Sequence, residues 1–252
     1  ANPTDEIDLL SNTFNKMAIH LVEHIKERQE QNNLHRELVA NISHDLRTPI
    51  AILHGYLETL SIKANTLSPQ EQQNYIHQAL QSSKQLNTLI AELFQLAKLE
   101  SSETALHKVS FNLSELTHDI VQKFQLRAVD NHIQLTLQVQ EQSIFAYADI
   151  GLIARVLENL LDNALKFTPE HKQVSVSLTE TEMAIVIQVQ DNGKGIPEEE
   201  LSKVFERFYQ ASNNHRSQPG GLGLAIAKRI MELHQGTIEV TSSTAKGTLF
   251  TV

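Results

Sequence analysis

"ENLLDNALKF", residues 158–167, is the stretch from which the architecture can be read outward. It lies in a longer helical pattern, "DIGLIARVLENLLDNALKFT", that Pro169 ends. Asn159 and Asn163 stand four apart on one helix face, and Lys166 follows three further on. Amide oxygens are hard ligands that suit Mg²⁺, and a nearby lysine suits phosphate oxygens. A helix with incidental polar positions has the same appearance, so the neighbouring segments must decide.

Those segments mix helices and strands. Upstream, "FNLSELTHDIVQKFQLRA" predicts a helix capped by Asn112 or Ser114, and "IQLTLQV" alternates as a strand does. Downstream, "QVSVSLTE" and "MAIVIQVQ" predict two strands, "GLGLAIAKRIMELH" a helix, and "TIEVTSS" and "GTLFTV" two more strands. Mostly antiparallel-looking strand pairs among helices imply a separate α/β layer domain over 111–252. "DNGKGIP" follows a strand, so Asp191 sits at the strand end and Gly193 and Gly195 let backbone pass close to a ligand. A buried carboxylate only accepts hydrogen bonds, which matches an exocyclic amine such as that of adenine; the same letters are also plain turn chemistry. "PGGLGLAIAKRI" puts Gly220, Gly221 and Gly223 at a helix N-terminus, where free N–H groups favour phosphate. The polar "YQASNNHRSQ" before it is a candidate flap, and Gly247 and Thr248 open the last strand.

The first hundred residues are different. Residues 5 to 60 read as nearly continuous helix. Ile7, Leu10, Phe14, Met17 and Leu21 form a heptad seam that needs a partner helix. The same phase then meets His24, Arg28, Gln31 and His35, which is either a solvated stretch or a joint that can rotate or slip. The apolar stripe resumes at Leu38 and Ile42 and runs through Leu46, Ile50, Leu53, Leu57 and Leu60. "SIKANTLSPQ" breaks it, and Ser68, Pro69 and Glu71 announce a second long helix with Ile76, Leu80, Leu86, Leu89, Ile90, Leu93, Leu96 and Leu99. Such a hairpin, with wide apolar stripes, is expected to dimerise into a four-helix bundle. "ESSETALHKVS" reads as a polar linker.

Composition narrows the field. The 252 residues suffice for one to three domains, and 40 % hydrophobic with 20 % charged content is ordinary for globular protein. A net charge of −9 and no Lys/Arg cluster argue against nucleic acid as a partner. With no cysteine there is neither disulfide nor thiolate metal site, and the twelve histidines form no convincing metal-ligand pair. No run of 18 apolar residues occurs, and the chain opens without a signal-peptide pattern; it is expected to be the soluble piece of something longer.

Taken in order, the motifs resemble the nucleotide-binding domain of sensor histidine kinases, within the ATPase class shared with gyrase, the Hsp90 chaperones and the MutL repair proteins. "ENLLDNALKF" resembles the N box, "DNGKGIP" the first glycine box, "VFERFYQ" the F box, "GLGL" the second glycine box and "GTLF" the last. "SHDLRTP" is similar to the H box, and "DEIDLLSNTFNKM" resembles the closing helix of a HAMP signalling module. Pro219 stands where the second glycine box usually has glycine. The resemblance implies a multidomain α and α+β chain: HAMP helix and coiled coil at 1–30, a dimerisation and phosphotransfer hairpin at 31–100, a linker at 101–110, and a Bergerat-type α/β sandwich at 111–252. It implies ATP and Mg²⁺ as cofactors, with Asn159 and Asn163 on the metal. Asn159, Asn163, Lys166, Asp191, Gly193, Gly195, Arg207, Gly221, Leu222, Gly223, Leu224 and Thr248 are the expected nucleotide residues.

His44 then becomes the expected phosphoacceptor. It lies two residues from both Ile42 and Leu46, roughly 200° from each, and so faces away from the apolar stripe. A neutral imidazole is required, because the protonated ring has no lone pair. Asp45 is the expected base or tautomer anchor, and Thr48, about 40° from His44 and one turn along, the expected water-positioning residue for dephosphorylating the partner. Pro49 removes one intrahelical bond and is expected to bend the helix. The implied partners are a second copy of the chain and the receiver domain of a response regulator. The implied location is the cytoplasmic side of the cell membrane, reached through transmembrane segments before residue 1.

Overall fold

The computed structural model describes residues 17, 26, 29, 40, 42–63, 66–101, 105–139, 143–209, 221–244 and 246–252. The HAMP-like stretch, the heptad seam and the polar joint lie outside these residues, apart from Met17, Lys26 and Gln29, which are helical. So do Pro219, Gly220 and the flap apart from its first residue, Tyr209. The chain divides into two compact units, Ala1–Ala79 and Leu80–Val252.

In the first unit, α1 (residues 42–62) continues without interruption through Pro49. A turn closed by Thr66 N–H and Leu67 N–H donating to the Lys63 carbonyl leads to α2 (Pro69–Glu100). The start of α2 is a reciprocal cap. Ser68 N–H donates to Glu71 Oε2 at 2.8 Å, and Glu71 N–H donates to Ser68 Oγ at 3.3 Å. These bonds hold the Glu71 pKa below its usual value. Tyr56 and Tyr75, with ring centroids 5.7 Å apart, bring the two arms of the hairpin together beside the turn. Ile50, Leu57 and Ile76 are large apolar side chains left exposed on this unit.

The second unit takes in the remainder of α2, then β1 (Val109–Asn112), α3 (Leu113–Asp130), β2 (Gln134–Val139), β3 (Phe145–Ala148), α4 (Ile150–Phe167), β4 (Gln173–Glu180), β5 (Ile185–Asp191), the single turn α5 (Glu198–Leu201), α6 (Gly223–Leu233), β6 (Glu239–Ser243) and β7 (Gly247–Thr251). Five strands form one sheet in the order β2-β4-β5-β7-β6, and β1 pairs with β3 in a separate ribbon. All pairs are antiparallel except β2–β4, which is parallel, with Gln134 opposite Gln173. A parallel neighbour demands a crossover, and β3 and α4 supply it.

Alternation fixes which face of the sheet is covered. Val174, Val176 and Leu178 on β4, with Ile187 and Val189 on β5, are buried, while Ser175, Ser177, Gln188 and Gln190 take the other phase. Helices therefore cover one face only, giving a two-layer α/β sandwich. α4 is its central helix. Val156, Leu157, Leu160, Leu161 and Ala164 are each at most 1 % exposed. Each buried leucine contributes about 1.5–3 kcal/mol.

Three local expectations are settled. Asn112 is the cap of α3, accepting from Glu115 N–H at 3.2 Å, whereas Ser114 Oγ accepts from Ile144 N–H at 3.0 Å and ties the helix to β3. The ribbon β1–β3 was not foreseen, and β1 takes in Val109 and Ser110 of the expected linker. The parallel β2–β4 pair departs from the antiparallel pattern. Its partners are far apart in sequence, so no turn signal announces it.

Candidate functional site

The site is built where β5, β7, α4 and α6 meet. Asp191 continues the buried phase of Ile187 and Val189, so the strand's own period carries a carboxylate to the covered face at the strand end. Only 4 % of the residue is exposed. Its Oδ1 accepts from Gly193 N–H at 2.7 Å and from Thr248 N–H at 3.3 Å. Burial pushes the Asp191 pKa up, and the bonds from Gly193 and Thr248 pull it partly back. A carboxylate with one oxygen held by two main-chain donors has a fixed plane, which aims the other oxygen.

Gly247 must be glycine for this packing. Its φ is +94°, and a Cβ there would lie 1.9 Å from the Asp191 carbonyl oxygen. At Gly193 a Cβ would meet the Phe167 carbonyl oxygen at 2.6 Å, so the turn after β5 presses on the end of α4. Gly195 is fixed near the β6 end by the same tight packing.

On α4, Asn159 is buried and its Nδ2–H donates to the Gly223 carbonyl at 2.9 Å. That bond orients the amide, because only the nitrogen can donate, and leaves Oδ1 as the acceptor. It also joins α4 to the first turn of α6, next to Leu222, which is fully buried. Asn163 lies one turn on, half-buried, and Leu224 is half-buried on α6. Lys166 is exposed, with Nζ 5.4 Å from the centre of the Phe167 ring. Desolvation lowers its pKa, while Glu92 and Asp162 pull it partly back up.

Residues 208 and 221 are joined at a neck. Phe208 N–H donates to the Gly221 carbonyl at 2.9 Å, with φ of +60° at Phe208 and +109° at Gly221. Arg207, expected among the nucleotide residues, is ion-paired with Glu100 at the end of α2.

Several supporting groups carried no sequence signal. Ser242 Oγ donates to the Gly247 carbonyl at 2.7 Å and accepts from Ile196 N–H at 2.8 Å, joining two glycine segments. Asp149 caps α4 through Gly151 N–H and Leu152 N–H and accepts His107 N–H at 3.1 Å. His234 uses both ring nitrogens, with Nδ1 2.8 Å from the Ile230 carbonyl and Nε2 accepting Asp149 N–H at 3.1 Å. Asp149 did stand just before a helical pattern, as a cap should; the others are ordinary strand and helix letters.

In the first unit, His44 is outward, with 78 % of its side chain exposed. Its Nδ1 lies 3.2 Å from Asp45 Oδ1. Thr48 Oγ1 donates to the His44 carbonyl at 3.4 Å. Among the described residues no group of three or more His, Cys, Asp or Glu could hold a metal ion, and no helix is long and apolar enough to cross a membrane.

Residues 34–102 match the family described as His Kinase A (phospho-acceptor) domain, and residues 148–252 the family described as Histidine kinase-, DNA gyrase B-, and HSP90-like ATPase. The chain is 35 % identical over 258 residues to the circadian input-output histidine kinase CikA of Synechocystis sp., covering 98 % of this chain and 34 % of that protein. It is 30 % identical over 251 residues to sensor protein SrrB of Staphylococcus aureus, covering 99 % of this chain and 43 % of SrrB. It thus spans less than half the length of these curated relatives. Among solved structures, the histidine kinase ThkA in complex with response regulator protein TrrA superposes with a TM-score of 0.73 at 25 % identity, over 90 % of this chain and 63 % of that one. Acinetobacter baumannii histidine kinase AdeS, at 23 % identity and a TM-score of 0.66, shares the fold over 82 % of this chain and 95 % of its own.

Proposed function

Because the chain belongs to the histidine kinase family, we propose that it is the catalytic part of a sensor histidine kinase: it phosphorylates its own His44 with Mg-ATP and passes the phosphoryl group to an aspartate of a response-regulator receiver domain. The observation that carries this reading is the exposed His44 ring with Nδ1 turned to Asp45. An Nδ1–H donated to a carboxylate leaves the lone pair on Nε2, which faces outward as a nucleophile. As Nε2 bonds to the γ-phosphorus, the bond from that phosphorus to the bridging oxygen breaks and ADP leaves, while Asp45 holds or takes the Nδ1 proton and offsets the positive charge that develops on the ring.

Bound ATP supplies the phosphoryl group, and Mg²⁺ neutralises charge on its phosphates. The residues present fit both. Asn159 Oδ1, kept free by the bond from Nδ2 to Gly223, and the Asn163 amide offer hard oxygens to the metal. Lys166 and the main-chain N–H groups of Gly221, Leu222, Gly223 and Leu224 suit the phosphates, and the second Asp191 oxygen suits the adenine amine. Gly193, Gly195 and Thr248 shape the wall, and Arg207 adds a guanidinium at the rim.

The same reading includes phosphatase activity toward the regulator through Thr48, and the division into 1–30, 31–100, 101–110 and 111–252. It also includes a HAMP-type segment at the start and attachment to a membrane through segments outside this sequence. The ThkA–TrrA complex supports a receiver domain as partner. The test is acid-labile, alkali-stable labelling from γ-labelled ATP. Label is expected on the unaltered chain and absent from His44→Gln. Label that survives His44→Gln defeats the reading. Mixing His44→Gln chains with Asn163→Asp chains separates transfer between subunits from transfer within one.

A further inference from the structure

We propose that Glu100 is a positioning residue of the nucleotide site, holding Arg207 off the phosphates so that ATP must displace a carboxylate to engage it; this rests on the reading above. The last turns of α2 belong to the same compact unit as the sandwich. Leu96 and Leu99 are buried, 4 % and 2 % exposed. Three guanidinium groups from three places in the sandwich close on this segment. Arg155 of α4 donates Nε–H to Gln95 Oε1 at 3.0 Å and lies 3.9 Å from Glu92. Arg229 of α6 donates Nε–H to the Leu99 carbonyl at 3.2 Å, one of the carbonyls that a helix end leaves without a partner. Arg207 pairs with Glu100.

The three are not equivalent. Arg155 and Arg229 lie on regular helices and also reach acids of their own helix, Glu158 at 3.7 Å and Glu232 at 3.3 Å. Arg207 lies outside regular helix and strand, and its ion-pair partner among the described residues is Glu100. It is also covalently next to Phe208, whose N–H is bonded to Gly221 at the phosphate-binding start of α6. One long side chain is thus anchored at the rim of the phosphate site and turned to a carboxylate.

The contest is balanced to be winnable. Arg207 and Glu100 are 43 % and 32 % exposed, so solvent weakens their attraction. A phosphate group carries more charge than one carboxylate and accepts a guanidinium in the same two-pronged geometry. Removing the Glu100 charge leaves the α2 end held by Leu96, Leu99 and Arg229, and frees Arg207 alone.

Calorimetry on the full chain with Mg²⁺ tests this, using a non-hydrolysable ATP analogue and AMP. Glu100→Gln is expected to bind the analogue about two- to fivefold more tightly, the factor that an exposed pair is worth in an equilibrium constant, with AMP affinity unchanged. In an Arg207→Ala background the same substitution is expected to have no effect. Unchanged analogue affinity, an equal gain for AMP, or a gain that survives without Arg207 overturns the proposal. If the unaltered chain fails to bind the analogue, the kinase reading falls and takes this inference with it. Binding that is indifferent to Glu100→Gln removes this inference alone.

Discussion

Asp191 shows what a residue proposed to bind adenine costs its own fold. Burial raises its pKa, so the ionised form is disfavoured in the folded chain relative to the unfolded one. A group of this kind stabilises most below its unfolded pKa and loses that contribution as pH rises through the raised folded value. Asp191→Asn is therefore expected to melt no lower than the unaltered chain near pH 8, with the comparison shifting toward the unaltered chain as pH falls through the acid range. The same variant is expected to bind ATP more weakly by about 1–3 kcal/mol, the cost of spoiling one buried polar pairing. Thermal melts across pH, with calorimetry at one pH, measure both effects; intact ATP affinity would remove the adenine contact. Asn163→Asp places a carboxylate where an amide is proposed to face the metal. It is expected to abolish His44 labelling while circular dichroism and dimerisation stay unchanged. Thr48 concerns the proposed phosphatase activity. Thr48→Ala is expected to keep His44 labelling within a few-fold and to slow regulator dephosphorylation by roughly tenfold or more, the lower range for losing one positioned group. Equal loss of both activities would mean that the Thr48 bond to the His44 carbonyl holds the helix beside Pro49 instead.

At the scale of elements, α4 carries both the core and the amides proposed to face the metal, so its start matters. The Asp149 carboxylate accepts from three main-chain N–H groups, two on α4 and one at His107. Asp149→Ala is expected to cost about 1–2 kcal/mol, read as a lowered urea midpoint. The elements differ in how far their letters announced them. β4 and β5 were legible because Val174, Val176 and Leu178 alternate with serines and threonine under a one-sided cover. α4 and the Ser68 cap were legible because period and capping are local. β1 and β3 were not, since Phe145 and Tyr147 turn their rings outward, 59 % and 72 % exposed, against the usual phase. The site divided in the same way. Asp191, Asn159 and the glycines stand in compact motifs, whereas Ser242, His234 and the Arg207–Glu100 pair act across distances that no local pattern encodes.

For the whole molecule, the apolar side chains left bare on the first unit set a requirement. Leu57 and Ile76 are 52 % and 49 % exposed. Both lie within residues 34–102, which match the phospho-acceptor domain family, and large exposed apolar side chains along a hairpin are what a second copy covers. Replacing both with lysine is expected to shift sedimentation from dimer to monomer while the nucleotide site of the second unit still binds ATP. Retained dimers would move the interface elsewhere. A different consequence follows from the strand order. β7 lies between β5 and β6, and it brings Thr248 to Asp191. Its neighbour β5 was made more than fifty residues earlier (Asp191 faces Thr248). During synthesis the ribosome therefore delivers helices, glycine segments and four strands of the sheet before the strand that faces Asp191 exists. On the proposed reading, a nascent chain stalled ahead of Gly247 carries its acceptor histidine with no complete fuel site, and self-modification has to wait until the final strand has slid into the gap.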